Sequence, residues 1–244
     1  MKETKGKKVL LYSGGVDSWL ISKIAKPDVK LYFDIGTPSC KGEIKRLPKD
    51  VIIDKSFNFS NVEDQKTFIV PLRNAYFILK AAEYGDHIIL GTNKTDAHND
   101  KIPRFAEDCM RMLNHYYTSD NDGLSPDRDL FVDFSYKNYT RADLCKIYLN
   151  QGGTVEEALK ESFSCYTPTK DYKECHNCRP CYRKMMGFFV NGCKFPKGYL
   201  SSFIPYLEEH IVTNNYKDKY YTVEQCKAVL EAAYKDKEEC ECKN

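Results

Sequence analysis

Short apolar runs alternate along the chain with longer stretches in which apolar positions recur at helical spacing. A glycine or an aspartate lies close to the end of each run, as is typical of strands that lead into turns. This alternation predicts an α/β protein with a doubly wound, mostly parallel sheet. The runs that we interpret as buried strands are residues 9–12, 29–33, 51–53 and 87–91.

Proline, glycine and capping residues mark the expected helix boundaries. Pro71 opens a helical pattern that closes before Gly85, and Thr140 precedes another helical pattern. Near the carboxyl end, residues 222–225 form a capping box. The charged residues 235–244 predict a solvated, frayed end. No repeat or linker divides the sequence, so we expect one domain.

A glycine-rich hexapeptide, SGGVDS, joins the first strand run to the first helical stretch. A strand that turns through Gly14 and Gly15 into a helix lets several backbone N–H groups point at one anion. In the first helical turn, Asp17 can cap N–H groups or hold a metal ion, and the Ser18 hydroxyl can donate to a phosphate oxygen. The spacing is neither GxxxxGK[ST] nor GxGxxG. The hexapeptide predicts a phosphate-binding loop; an ordinary Gly-Gly turn before a capped helix is the structural alternative.

Four of the eleven cysteines are spaced C-x9-C-x2-C-x2-C. Two-residue gaps let neighbouring thiolates wrap around one ion, and four thiolates suit tetrahedral zinc. An iron–sulfur cluster is the alternative that the spacing leaves open. With no open ligand position, a zinc ion here would be structural. The expected ligands are Cys165, Cys175, Cys178 and Cys181.

Composition narrows the classes of partner. The 37 basic and 35 acidic residues give a formal charge of +2, so we expect no nucleic acid partner. No apolar run approaches the ~18 residues of a membrane span, and the charged amino-terminal segment is unlike a secretion signal. We therefore expect a cytoplasmic protein that acts on small molecules and not at a membrane.

The hexapeptide resembles the SGGxDS signature of the PP-loop ATP pyrophosphatases, which split ATP between its α- and β-phosphates. Further blocks between residue 9 and about residue 188 are similar to one subfamily, the 7-cyano-7-deazaguanine synthases of queuosine-type pathways. The most discriminating block is Ser-Cys-Tyr at residues 164–166 together with the cysteine knuckle and Gly187-Phe188. The other blocks are FDIG from Phe33 followed by Glu43, VPLRNA from Val70 and GTNKTD from Gly91.

The resemblance implies an adenine nucleotide alpha hydrolase-like fold, with one PP-loop ATPase domain over residues 1–244 and a small zinc-binding helical lobe over about residues 160–244. It also implies ATP with Mg²⁺ and a structural Zn²⁺. The implied catalytic residues are Asp17, Ser18 and Arg73. The implied ATP-binding residues are Tyr12, Ser13, Gly14, Gly15, Val16, Asp17, Ser18, Phe33, Asp34 and Gly91, and the implied substrate-binding residues are Arg73, Asn74, Asn93 and Asp96.

The implied activity is that of an ATP-dependent C–N ligase. The carboxylate of 7-carboxy-7-deazaguanine would attack the α-phosphate of ATP, ammonia would displace AMP to give an amide, and a second adenylation would give 7-cyano-7-deazaguanine. An enzyme that stops at the amide, a PP-loop tRNA-thiolation enzyme and a defence-system adenylating homologue remain alternatives. A homodimer is compatible with the resemblance.

Several positions depart from the family pattern. Thr37, His176 and Lys184 stand where the family usually has glutamine, glycine and arginine, and residues 98–104 do not match its Tyr-Pro-Asp-Cys-Arg stretch. Because that stretch lies on the substrate side, these departures favour a diverged member and leave the exact deazapurine open. Two of the implied site residues could instead have a purely structural role. Arg73 could form a salt bridge at the surface, and Asp96 could cap a loop.

Overall fold

The computed structural model describes residues 6–64, 69–96, 99–117 and 128–242. The chain divides into two compact units, Met1–Thr140 and Arg141–Asn244. Each unit has its own core of buried apolar side chains. The second unit begins upstream of residue 160, where the resemblance places the start of the zinc-binding lobe.

Five strands form the sheet of the first unit: β1 (Lys8–Leu11), β2 (Val29–Phe33), β3 (Val51–Asp54), β4 (His87–Leu90) and β5 (Phe131–Asp133). Their order is β3-β2-β1-β4-β5, and each neighbouring pair is parallel. In the central strand β1, Val9 pairs with Val29 of β2 on one side and with Ile88 of β4 on the other. The doubly wound parallel sheet predicted from the sequence is confirmed.

The helices of the first unit are α1 (Val16–Ala25), α2 (Pro38–Ile44), α3 (Arg73–Ala81) and α4 (Pro103–Tyr116). They provide the crossovers that parallel strands require, and their apolar faces pack on the sheet. Trp19 and Leu20 of α1 and Ile78 of α3 are almost completely buried. None of the helices in the described residues combines the length and apolar composition needed to cross a bilayer.

The third helix begins later than its proline predicts. Leu72 has a φ of 58°, in the left-handed region, so the right-handed helix cannot extend back to Pro71. The helix therefore starts at Arg73. This start places Arg73 and Asn74 in the first turn of α3.

The second unit is helical, with α5 (Arg141–Asn150), α6 (Val155–Glu161), α7 (Arg179–Phe189), the short α8 (Ile204–Tyr206) and α9 (Val223–Glu241). The capping box is confirmed: the Thr222 side chain accepts from the backbone of Gln225, and the Gln225 side chain accepts from the backbone of Thr222. The expectation of a frayed end was wrong for residues 235–241, because α9 continues to Glu241, and residues 243–244 lie outside the described residues. Asp236 anchors this part of α9, since its carboxylate accepts hydrogen bonds from the N–H groups of Gly198 (2.8 Å) and Ser201 (2.9 Å).

Candidate active site and metal centre

A cavity of about 260 Å³ lies at the carboxyl ends of β1, β2 and β4. From β1 the chain builds the sheet outward on one side through β2 and β3, and then returns to the other side of β1 to form β4 and β5. The boundary between β1 and β4 is therefore a topological switch point, where doubly wound sheets bind ligands. The first turn of α3 also contributes to the wall. Of the predicted site residues, the cavity brings together Tyr12, Ser13, Phe33, Arg73, Asn74 and Gly91.

The SGGVDS loop leads from β1 into α1, and its first residue, Ser13, lies on the cavity wall. Gly14 has a φ of 75°, a conformation that glycine adopts without strain, and Gly15 is the N-cap of α1. The Ser18 hydroxyl accepts from the Ser13 N–H (3.2 Å) and donates to the Gly15 carbonyl (3.1 Å). These bonds fix the turn at the amino end of α1, where helices bind anions. Val16 and Asp17 occupy the first two positions of the helix.

Gly91 brings the end of β4 close to the start of α1. A Cβ atom at this position would lie 3.3 Å from the Leu11 carbonyl oxygen and 3.4 Å from the Ser18 Cβ. The first distance is tighter than ordinary van der Waals contact and the second lies at its limit, so a larger residue at position 91 would require β1 or α1 to shift by a few tenths of an ångström. Glycine at position 91 therefore allows the end of β4 to lie close to the SGGVDS loop.

Two buried polar side chains follow Gly91 at the end of β4. Thr92 Oγ1 and Asn93 Nδ2 have no hydrogen-bond partner among the described residues, although both side chains are nearly inaccessible. Thr92 lies on the cavity wall, whereas Asn93 does not. Buried polar groups are rarely left unpaired, so such atoms mark where a polar ligand would supply the missing bonds. A ligand with polar atoms fits this edge of the cavity.

Asp96 has the geometry of the loop cap that was its structural alternative. Its Oδ2 accepts from the Asn93 N–H at 3.1 Å, and its Oδ1 lies 3.4 Å from Lys101 Nζ. Lys101 is itself on the cavity wall. Asp96 therefore positions Lys101 and the Asn93 turn, and a role in holding substrate stays a prediction.

Arg73 and Asn74 reach the cavity from the first turn of α3. Asn74 is buried, and its amide donates to the Asp100 carboxylate at 2.9 Å. Within the described residues, the Arg73 guanidinium forms neither an ion pair nor a hydrogen bond, so the surface salt bridge considered as its alternative is not formed there. This leaves Arg73 available to an anionic group in the cavity.

Phe33 is part of an aromatic cluster at the end of β2. Its ring stacks on Phe77 with centroids 4.4 Å apart, and Phe77 also lines the cavity. Asp34, the next residue, is not on the wall: its Oδ1 accepts from the Gly36 N–H at 3.2 Å, and its Oδ2 lies 3.8 Å from Lys55 Nζ. Phe33 thus offers an apolar surface to a planar ligand, while Asp34 shapes the turn after β2.

The cavity also contains a carboxylate that was not among the predicted site residues. The Tyr32 hydroxyl donates to Glu43 Oε2 at 2.6 Å, which orients the Glu43 side chain on the wall. Burial raises the pKa of Glu43, while the Tyr32 hydrogen bond and the nearby charges of Arg73 and Arg46 lower it. In the sequence, only the position of Glu43 after the FDIG block pointed to it. Thr37, Cys40, Thr92 and Lys101 likewise line the cavity without having been predicted.

In the second unit, the four predicted cysteine ligands form one cluster, with all four Sγ atoms within 4.8 Å of one another. Cys178 Sγ lies 3.4 Å from Cys181 Sγ and 3.9 Å from Cys165 Sγ. A tetrahedral ion with ~2.3 Å metal–sulfur bonds separates its sulfur ligands by about 3.8 Å. The cluster can therefore hold one metal ion such as zinc.

Backbone groups support these sulfur atoms. The Cys175 N–H donates to Cys165 Sγ, and the Asn177 N–H donates to Cys175 Sγ, both at 3.3 Å. Hydrogen bonds of this kind orient metal ligands and stabilise their negative charge. His176 has a φ of 54°, a conformation that glycine adopts without strain. This conformation explains why glycine is usual at this position in the family that the sequence resembles. His176 instead stacks on Phe203, with ring centroids 4.7 Å apart.

Lys184 forms a buried ion pair beside the cysteine cluster. Its Nζ lies 3.1 Å from Glu174 Oε1 and donates to the Ser162 carbonyl at 2.8 Å. Glu174 Oε1 also accepts from the Ser164 N–H at 2.5 Å. Burial lowers the pKa of Lys184, and the Glu174 charge opposes that shift. The pair joins the chain segments on either side of three cysteine ligands, Cys175, Cys178 and Cys181.

Replacing Lys184 with methionine should lower the free energy of unfolding by about 3–5 kcal/mol, because Glu174 would keep a buried, unpaired charge. Chemical denaturation of the purified protein measures this loss. The double variant Lys184→Met, Glu174→Gln should recover part of it, and the exposed Lys146→Met should leave stability unchanged. A loss below about 1 kcal/mol in the single variant would contradict the structural role of the pair.

The profile of the family described as Queuosine biosynthesis protein QueC matches residues 41–192. Proteins named 7-cyano-7-deazaguanine synthase are also similar. The protein of Rickettsia prowazekii is 25% identical over 138 residues, 54% of this chain and 57% of that protein, and the protein of Sulfolobus acidocaldarius is 28% identical over 137 residues, 53% of this chain and 27% of its own length. That of Nitratiruptor sp. is 24% identical over 230 residues, 80% of this chain and all of the relative.

A doubly wound α/β unit with a glycine-rich loop at its switch point, followed in the chain by a four-cysteine centre, defines the class of this protein. The family match covers more than half of the chain and includes Glu43, the α3 residues and all four cysteines. The chain belongs to the QueC family of queuosine biosynthesis proteins. Identities of 24–31% to the relatives make it a diverged member.

Proposed function

We propose that this protein is a cytoplasmic, ATP-dependent ligase that converts 7-carboxy-7-deazaguanine and ammonia to 7-cyano-7-deazaguanine. The observation that carries the proposal is the SGGVDS loop adjoining a cavity at the switch point of the sheet. The names of the relatives support the product, and the near-neutral charge supports small-molecule substrates over nucleic acid.

The loop and the start of α1 would receive the phosphates of ATP. The backbone N–H groups of Gly14, Gly15 and Val16 would stabilise the pyrophosphate as it leaves, and the Ser13 and Ser18 hydroxyls would hold phosphate oxygens. Asp17 would hold Mg²⁺, whose positive charge offsets the negative charge of the polyphosphate. Tyr12, Phe33, Asp34 and Gly91 would contact the rest of the nucleotide.

Arg73 would bring the two reacting anions together. A substrate carboxylate approaches a triphosphate only if positive charge neutralises both, and a guanidinium can bind a carboxylate and a phosphate through separate N–H groups. In the first half-reaction, a carboxylate oxygen attacks the α-phosphorus and pyrophosphate leaves. Ammonia then attacks the acyl carbon, AMP leaves, and a proton is lost to give the amide. Asn74, Asn93 and Asp96 would orient the ring of the substrate.

The second half-reaction would repeat the activation on the amide. The amide oxygen attacks the α-phosphorus of a second ATP and pyrophosphate leaves. Loss of the two N–H protons and departure of AMP then form the nitrile. We further propose that the four-cysteine centre holds a structural Zn²⁺, because four thiolates leave no ligand position open for substrate.

The test is incubation of the purified protein with Mg-ATP, ammonium and 7-carboxy-7-deazaguanine, with pyrophosphate release and product mass as measurements. We expect two AMP and two pyrophosphate for each nitrile formed. An amide as the final product, with one AMP per turnover, would identify the protein as an enzyme that stops at the amide. Release of inorganic phosphate in place of pyrophosphate would contradict the proposed function.

A further inference from the structure

Among the described residues that line the cavity, Glu43 is the single acidic one, and the cations Arg73 and Lys101 line the same cavity. An anionic substrate group accounts for the two cations. The charges of Arg73 and Arg46 act on Glu43. Its carboxylate would nevertheless repel the phosphates of ATP and the carboxylate of the substrate, so the part of a ligand that meets it must carry hydrogen-bond donors.

The bonding of Glu43 leaves part of its carboxylate available. The Tyr32 hydroxyl occupies one acceptor position on Oε2, and no described residue donates a hydrogen bond to Oε1. An ionised carboxylate has about four lone-pair positions and no donor. Glu43 can therefore accept hydrogen bonds from two adjacent N–H groups of a ligand, while Tyr32, which is almost completely buried, holds its orientation.

A guanine-type ring presents such a pair of donors, the ring N1–H and the 2-amino group. Adenine presents an amino donor beside a ring acceptor, which a carboxylate does not match. Phe77, which also lines the cavity, provides an apolar ring surface for a planar ligand. A cavity of about 260 Å³ is near the ~300 Å³ lower end of typical ligand pockets and has room for one bicyclic ring.

We propose that Glu43 is the specificity-determining residue that accepts hydrogen bonds from the N1–H and 2-amino edge of a guanine-type substrate. This inference rests on the proposed function for the identity of that substrate, 7-carboxy-7-deazaguanine. Tyr32 is a positioning residue, because it acts on the substrate only through the Glu43 carboxylate. The substrate carboxylate is then left to Arg73 and Lys101.

The experiment compares 7-carboxy-7-deazaguanine with its analogue that has hydrogen in place of the 2-amino group. The wild-type protein should prefer the 2-amino compound by about 100-fold in kcat/KM, since a buried polar site rejects a ligand that leaves its groups unpaired. Glu43→Gln should lower kcat/KM about 100-fold for the 2-amino compound and only a few-fold for the analogue, so that the preference falls towards one. Its KM for ATP should stay unchanged.

Matched variants separate recognition from folding. Glu43→Gln retains an oxygen that can accept from Tyr32, so its melting temperature should match that of the wild type. Tyr32→Phe should weaken the preference less than Glu43→Gln does. Asp50→Asn removes an exposed carboxylate that is paired with Lys30 and lies outside the cavity. This variant should change neither the preference for the 2-amino compound nor the KM for ATP.

Calorimetric titration of both ring compounds in the absence of ATP distinguishes this inference from the proposed function. A wild-type protein that binds both compounds equally well, or a Glu43→Gln variant that keeps the preference, would overturn the role of Glu43. A Glu43→Gln variant that raises the KM for ATP would place adenine at this carboxylate and overturn it too. Selective binding of the 2-amino compound without formation of AMP would support the role of Glu43 and reject the ligase activity.

Discussion

Replacing Cys178 with serine is expected to remove the bound metal and to lower the melting temperature by about 6–12 °C. Cys178 lies at the centre of the cluster, with its Sγ close to those of both Cys165 and Cys181. Structural zinc sites contribute folding free energy directly, and in a chain of this size about 3 kcal/mol corresponds to roughly 6–12 °C. Metal analysis of the purified protein and thermal unfolding measure the two effects together.

The control is Cys242→Ser, because Cys242 is exposed and lies outside the cluster. This variant should keep one zinc ion per chain and the wild-type melting temperature. Absorption of visible light by the purified protein would indicate an iron–sulfur cluster, because a zinc–thiolate site is colourless. If Cys178→Ser retained full metal content, the four-thiolate assignment would be wrong.

Replacing Asp17 with asparagine is expected to slow formation of AMP and pyrophosphate by at least about 100-fold. Asp17 lies in the first turn of α1, next to the glycine turn that would receive the phosphates. The amide keeps the size of the side chain but removes the charge that would hold Mg²⁺. Initial rates of pyrophosphate release at saturating Mg-ATP measure the effect.

A matched control for this variant is Asp28→Asn, at the opposite end of the sheet. Asp28 accepts from the Lys8 N–H at 2.8 Å, at the start of β1, and does not line the cavity. Its turnover should stay within about two-fold of the wild type. An Asp17→Asn protein with wild-type turnover and an unchanged melting temperature would reject the metal-binding role of Asp17.

The sequence predicted four of the five strands, because each of these is a short apolar run that ends near a glycine or an aspartate, and it missed β5. The expectation that residues 51–53 are buried was wrong for Ile52 and Ile53, which are exposed because β3 lies at an edge of the sheet. The bounds of β2 agree with the run at residues 29–33. The prediction failed where tertiary contacts or backbone strain decide. The left-handed Leu72 delays α3, and the Asp236 hydrogen bonds extend α9 beyond the expected end. Neither feature leaves a periodic signal in the sequence.

The candidate site was predictable only in part, for a physical reason. Local motifs such as SGGVDS and the cysteine spacing specify their own geometry, so the loop and the four-thiolate cluster could be placed from residue types alone. The cavity wall is assembled from separate strand ends, and its other members carry no local signature. The Tyr32–Glu43 hydrogen bond joins a strand to the following helix, and Lys101 reaches the wall through its ion pair with Asp96.

The pairing of β1 with both β2 and β4 has a consequence for synthesis on the ribosome. Val9 meets Val29 soon after both leave the exit tunnel, but its other partner, Ile88, belongs to a strand made much later. At about 5–20 residues per second, the time between synthesis of Val29 and of Ile88 is roughly 3–12 s. During this interval the edge of β1 that later pairs with β4 has no partner strand, and unpaired strand edges of this kind are prone to aggregation and to binding by chaperones.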